Sequence, residues 1–197
     1  MKKAWSKKLE VGSRESGVGS RASGVGRRKT KRIKKEEEMT VIKLQTQIDA
    51  PITDVFDLAR DIDFHMESAS STNEQAIAGR TSGKINFGET VTWRGRHLGV
   101  ALKHTSKIVA FERPFRFTDV MIKGHFKYFA HQHIFEESSG GTIMTDVLTY
   151  RVPFGIVGQC FDTWILRRHL TRFLKTRNQA LKTQLETTHL ASCRKVS

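Results

Sequence analysis

The chain has 197 residues, with 34 Lys and Arg against 20 Asp and Glu, a formal charge of +14, and 38% hydrophobic residues. That length fits one domain of ordinary size with tails, and no run approaches the roughly 18 apolar residues of a membrane span. The two cysteines, Cys160 and Cys193, make neither a disulfide framework nor a zinc cluster, and the basic N-terminus lacks the apolar stretch of a signal peptide; a cytoplasmic location is expected.

The charge is unevenly spread. Residues 1–38 hold 13 basic and 5 acidic side chains, against 21 and 15 in residues 39–197. A seven-residue unit, SRxSGVG, occurs at Ser13–Gly19 and again at Ser20–Gly26, then gives way to Arg27-Arg28-Lys29-Thr30-Lys31-Arg32. Gly, Ser and like charges cannot bury enough apolar surface to offset chain entropy, so residues 1–38 are expected to form a disordered leader. Clustered Arg and Lys would displace counterions from phosphates. A solvated tail explains the same composition, and nucleic acid is not an expected partner. Lys34–Glu38 also admits all-purine codons resembling a bacterial ribosome-binding site, which makes Met39 a candidate natural start.

Val41–Ile48 alternates apolar and polar residues, the period of a strand. Asp49-Ala50-Pro51 ends it, and Pro51 or Ile52 opens a short helix with Asp54 in its first turn and Val55, Phe56, Leu58 and Ala59 on its apolar side. Ile62–Met66 reads as a second brief helix. From Gln75 to Val152 the chain breaks into six short runs separated by turns at Gly79, Gly83, Gly88, Pro114, Gly124 and Gly140-Gly141, the pattern of successive antiparallel hairpins. The period then becomes helical. Cys160, Phe161, Trp164, Ile165, Leu170, Phe173, Leu174, Leu181 and Leu185 make one apolar stripe ending near Glu186. Arg167, Arg168, Arg172 and Lys175 make its wet face, which could dock transiently to an anionic membrane. Cys160 is expected in the core, and Thr187–Ser197 reads as a polar tail.

The expected fold is therefore α+β: a curved antiparallel sheet of about six to seven strands, two short helices after the first strand, and a long C-terminal helix over the apolar sheet face, within residues 39–186. A sheet wrapped around one helix leaves an internal pocket. Trp93, Phe117, Phe129, Met144 and Trp164 are suitable apolar lining for it.

Sorting each strand by period two places a polar set on the same inner faces. His97 aligns with Trp93; Asp119 with Phe117; His131 and His133 with Phe129; Asp146 and Tyr150 with Met144. Three readings of this set compete: mutual pairing of buried groups, a polar patch that orients a ligand, and a metal or acid–base site in which His131 and His133 are the candidate catalytic residues. The spacing His131-x-His133-x3-Glu137 imitates a cupin metal box, but the flanking glycines are misplaced for that pattern. No nucleophile declares itself. No metal and no other cofactor is expected, and Ile134 on the outer sheet face is too little to assign an oligomeric state.

Ala50-Pro-Ile-Thr-Asp-Val-Phe56, Gly88-Glu-Thr-Val-Thr-Trp93, Arg113-Pro-Phe, Gly124-x-Phe126-x4-His131-x-His133-x-Phe135 and Thr142-x-Met144-x-Asp146-x3-Tyr150-x2-Pro153-x-Gly155 follow one another in an order that resembles the START-like helix-grip (SRPBCC) superfamily. The resemblance lies nearest its polyketide-cyclase/dehydrase and coenzyme-Q-binding branches and covers Met39 to Glu186. His125 departs from it, standing where many relatives have Pro. The resemblance implies an apolar ligand, such as a lipid, a quinone or a polyketide-like aromatic, held between sheet and C-terminal helix. A cyclase, dehydratase or hydrolase is the alternative it leaves open, since this fold does not fix function.

Overall fold

The computed structural model describes residues 39–196; the leader, with its repeat and its expected disorder, lies outside the described residues. The order of elements is β1 (Thr40–Ile48), α1 (Ile52–Ala59), α2 (Ile62–Ser68), a 3-10 turn (Ser70–Thr72), β2 (Gln75–Gly79), β3 (Thr90–His97), β4 (Val100–Glu112), β5 (Arg116–Lys123), β6 (Tyr128–Ser138), β7 (Gly141–Arg151), α3 (Gly155–Phe161), a π-helical turn (Asp162–Leu166) and α4 (Arg167–Val196). The strand runs read from the sequence match β2 to β7 to within a few residues.

All seven strands form one antiparallel sheet in the order β1-β7-β6-β5-β4-β3-β2. From β3 onward each strand pairs with the next, as a chain of hairpins requires. The first pair of helices carries the chain from the β1 edge to the opposite edge, where β2 begins. Register shifts between Thr105 and Ser106 and between Ile108 and Ala110 in β4 add the local bends that curve a sheet. At the β6–β7 turn, a side chain on Gly141 would meet the Ile48 carbonyl oxygen at 2.3 Å, and its φ is +107°. Only glycine fits this approach of the turn to the end of β1.

Two apolar clusters fill the concave side. In one, Phe56 of α1 meets Phe111, Phe117 and Phe135 edge-on at 5.3–5.5 Å between centroids, with Met144 and Leu181 buried in the same cluster. In the other, Leu170 and Leu174 of α4 pack with Ile42, Leu148 and Tyr150 of the sheet. The cap of α2 follows from sequence: the Asp61 carboxylate accepts from the backbone N–H of Asp63 and Phe64 at 2.9 and 3.0 Å, satisfying donors that the first helical turn leaves open.

The C-terminal helix differs from the single stripe expected. A π turn takes one residue more than an α turn, which rotates everything N-terminal to it by about 100°. Leu170, Leu174 and Leu181 stay buried, whereas Cys160, Phe161, Trp164 and Ile165 face solvent. The turn is anchored by Asp162, which accepts from Tyr150 Oη at 2.5 Å and Thr40 Oγ1 at 2.6 Å. Neither Gly nor Pro follows Gly158, so nothing stops the helix, and α4 runs on to Val196 instead of ending near Glu186.

Candidate functional site

Between α4 and the sheet lies a cavity of about 180 Å³. Seven of the eight histidines line it: His65, His97, His104, His125, His131, His133 and His169. Phe117, Phe129, Leu148, Leu170, Phe173 and Leu174 supply apolar wall. Lys103 and His125, both exposed, mark the side on which the lining reaches solvent.

The floor is set by strand register. Asp119 lies directly opposite His131 across β5–β6, and His133 directly opposite Asp146 across β6–β7. Period two then puts all four side chains on the concave face. His131 Nε2 lies 2.9 Å from Asp146 Oδ1 and donates to it. His133 Nδ1 lies at the same distance from that oxygen but off the direction a hydrogen bond needs, and it has no hydrogen-bond partner. Asn178 of α4 donates to the other carboxylate oxygen, Oδ2, at 2.7 Å. Burial would raise the Asp146 pKa, but the hydrogen bond from His131 and the close imidazole of His133 outweigh burial and hold it well below the ordinary value. Burial, with the neighbouring His131 charge, pushes His133 down to about 4 against the opposing pull of Asp146. Phe117 stacks on the His133 ring at 4.3 Å. Beside the floor, Ser106 Oγ donates to Asp119 Oδ2 at 2.9 Å, and His104 Nε2 lies 2.8 Å from the same hydroxyl.

A second network crosses the cavity from helix to helix. Glu74 meets His65 Nε2 of α2 at 2.5 Å and His97 Nε2 of β3 at 2.9 Å, and His97 Nδ1 meets His169 Nε2 of α4 at 3.0 Å. Burial would raise the Glu74 pKa; the bonds to both imidazoles reverse that and lower it strongly. His65 is lowered by burial and then by the Arg177 charge, with Glu74 opposing. His169 is lowered by burial and by His97. Arg177 Nη2 closes the roof by donating to the Ala59 carbonyl at 2.9 Å.

Of the residues expected from sequence, Trp93, His97, Phe117, Asp119, Phe129, His131 and His133 line this cavity. Trp93 stacks on His65 at 4.1 Å. Four do not line it. Asp146 stands behind the two histidines as their partner. Met144 is buried among the residues around Phe56 and Phe135, because α1 fills the sheet face at that end. Tyr150 is buried with its hydroxyl on Asp162, and burial with the Asp162 charge raises its pKa. Trp164 is 69% exposed, since the π turn rotates it outward.

Solved structures share this architecture. TTHA0849 of Thermus thermophilus superposes with a TM-score of 0.63 at 15% identity, covering 76% of this chain and 99% of that one. Protein Ms6760 of Mycobacterium smegmatis gives 0.56 at 17% identity over 76% and 92%. The ginseng major latex-like protein 151 of Panax ginseng gives 0.57 at 15% identity over 75% and 97%. The fold they share with this chain is the helix-grip fold. No protein-family model matches the sequence, and no curated protein does.

Proposed function

We propose that the protein binds a compact, largely apolar small molecule in the cavity between sheet and long helix. The observation that carries this reading is the cavity itself, in which aromatic and leucine walls surround seven histidines. Apolar walls supply affinity at about 25 cal/mol per Å² of ligand surface removed from water. The imidazoles and carboxylates select polar groups on the ligand, because leaving them unpaired against the wrong ligand costs about 1–3 kcal/mol each.

Size narrows the ligand. An apolar cavity of about 150 Å³ accommodates benzene, so 180 Å³ suits one or two rings better than a whole acyl chain. Among a lipid, a quinone and a polyketide-like aromatic, the ring compounds are favoured, with any tail leaving past Lys103 and His125. In this reading the protein works in the cytoplasm and meets a membrane transiently. The surface that does so is the exposed apolar run from Phe154 to Ile165, not the arginine face of α4.

Native mass spectrometry of detergent-free protein, with small-molecule extraction, tests the reading. So does quenching of Trp93 by 1,4-naphthoquinone, with Trp93→Phe as control. A stoichiometric adduct or saturable quenching lost in Trp93→Phe is expected. An empty protein that naphthoquinone does not quench would sink the proposal.

One observation favours a second reading, acid–base catalysis: His131 is held by a buried carboxylate, the arrangement that orients a general base. His131→Ala separates the two. A binding protein loses selectivity for polar groups on the ligand, whereas a cyclase or dehydratase keeps binding and loses turnover.

A further inference from the structure

Pairing of buried groups accounts for His131 and Asp146, but not for the third group that faces them. One donor atom from each of Asp119, His131 and His133 lies within 4.8 Å of the other two. We propose that these three side chains form a binding site for one divalent transition-metal ion, with its open coordination positions turned into the cavity. This departs from the expectation that no metal is bound, and it does not rest on the identity of any organic ligand.

Five features support it. The donor set is two imidazoles and one carboxylate, which suits zinc or ferrous iron; calcium and magnesium prefer all-oxygen sites. Donor atoms bound at about 2.0–2.1 Å to one ion lie at most about 4 Å apart, so the three groups need to draw in by about an ångström. They sit on paired neighbouring strands, Asp119 opposite His131 and His133 two residues along, which fixes their spacing by backbone register.

The surroundings are those of a supported metal site. Asp146 accepts a hydrogen bond from His131 Nε2, which leaves the other ring nitrogen as an acceptor. Asn178 fixes that carboxylate in turn, and Ser106 fixes Asp119. The charges also balance, since two carboxylates, Asp119 and Asp146, match one dication beside neutral imidazoles. Finally, His133 Nδ1 is a buried ring nitrogen with no hydrogen-bond partner. Native structures rarely tolerate such a group, and it becomes explicable if the orientation of that ring is set by an ion on its other nitrogen.

Three protein donors leave one position in a tetrahedral shell or three in an octahedral one. Asp119, His131 and His133 all line the cavity, so those positions face any bound molecule. An enolate, phenolate or keto oxygen on a ring ligand is the chemistry that would occupy them.

The test uses untagged full-length protein dialysed against a chelator, then titrated with Co²⁺ followed by visible absorption and with Zn²⁺ in competition with a chromophoric chelator. One equivalent of each ion is expected, with d–d bands for cobalt. Asp119→Asn and His133→Gln should each weaken binding at least about tenfold, and Asp146→Asn about tenfold. Circular dichroism checks the fold of each variant; should His133→Gln fail to fold, Asp119→Asn alone decides. Folded wild-type protein that takes up neither ion stoichiometrically would overturn the proposal. So would binding unchanged in Asp119→Asn, or binding lost in His169→Ala but kept in Asp119→Asn, which would place the ion on the Glu74 network instead.

Discussion

Asn178 is the side chain through which the long helix holds the acid beneath the cavity floor. Its amide donates to Asp146 Oδ2 at 2.7 Å in the buried interior and to the half-buried Thr46 Oγ1 at 3.2 Å. Removing it leaves a buried carboxylate oxygen short of a donor, which costs about 1.5–3 kcal/mol for a charged acceptor. Asn178→Ala should therefore lower the urea midpoint with an unchanged slope, and a midpoint within error of wild type would show that water replaces the amide. The strand half of this site was legible in the sequence, because period two sorts His131, His133 and Asp119 onto one face whatever they pair with. Asn178 was not, because a polar residue in a helix reads as surface until its spacing is weighed. It stands four residues after Leu174 and three before Leu181, both buried. His169, Phe173 and Arg177 show a similar signal, spaced by four along α4. His65 and Glu74 carried none, since their meeting with His97 depends on how α2 folds back over β3.

At the scale of elements, the misread feature is the start of the C-terminal helix. A 3.6-residue period cannot register one extra residue, so Cys160, Phe161, Trp164 and Ile165 were counted as core. The outcome is an exposed surface on α3 and the π turn: Phe154 at 81%, Val157 at 76%, Ile156 at 70% and Trp164 at 69%. Arg167 and Arg168, both exposed, follow directly. Apolar side chains next to arginines match the interface of an anionic bilayer, and no helix among the described residues is long and apolar enough to cross one. Vesicles of phosphatidylglycerol and phosphatidylcholine should sediment with the protein and shift Trp164 emission to the blue. Salt should weaken the association. Replacing both Phe154 and Trp164 by Ser removes two side chains worth about 1.5–3 kcal/mol each when buried, so partition should fall at least tenfold. A concentration-dependent dimer that ignores vesicles would assign the patch to a second copy of the chain.

Across the whole molecule, sheet and long helix are joined by groups that titrate. His97 Nδ1 and His169 Nε2 lie 3.0 Å apart, a contact that needs one donor and one acceptor. His65 is half-buried and faces Glu74, Trp93 and Arg177. His65, His104 and His169 all have pKa values lowered by burial. The unfolded chain, with ordinary values near 6.5, then binds protons that the folded state refuses, and stability falls as pH drops below about 6.5. His65 and His104 can each steepen that fall by up to about 1.4 kcal/mol per pH unit, and the more solvated His169 by less. Glu74, lowered by its two imidazoles, extends the loss below about 4.5, where the unfolded carboxylate takes up its proton first. Denaturant midpoints should accordingly be level from about pH 8 to 7 and decline steadily between about 6.5 and 4. His169→Gln, which cannot charge, should flatten the upper part of that decline. A midpoint that holds constant from about pH 7.5 to 5 would mean that water reaches these imidazoles and that the helix is held on the sheet by its leucines alone.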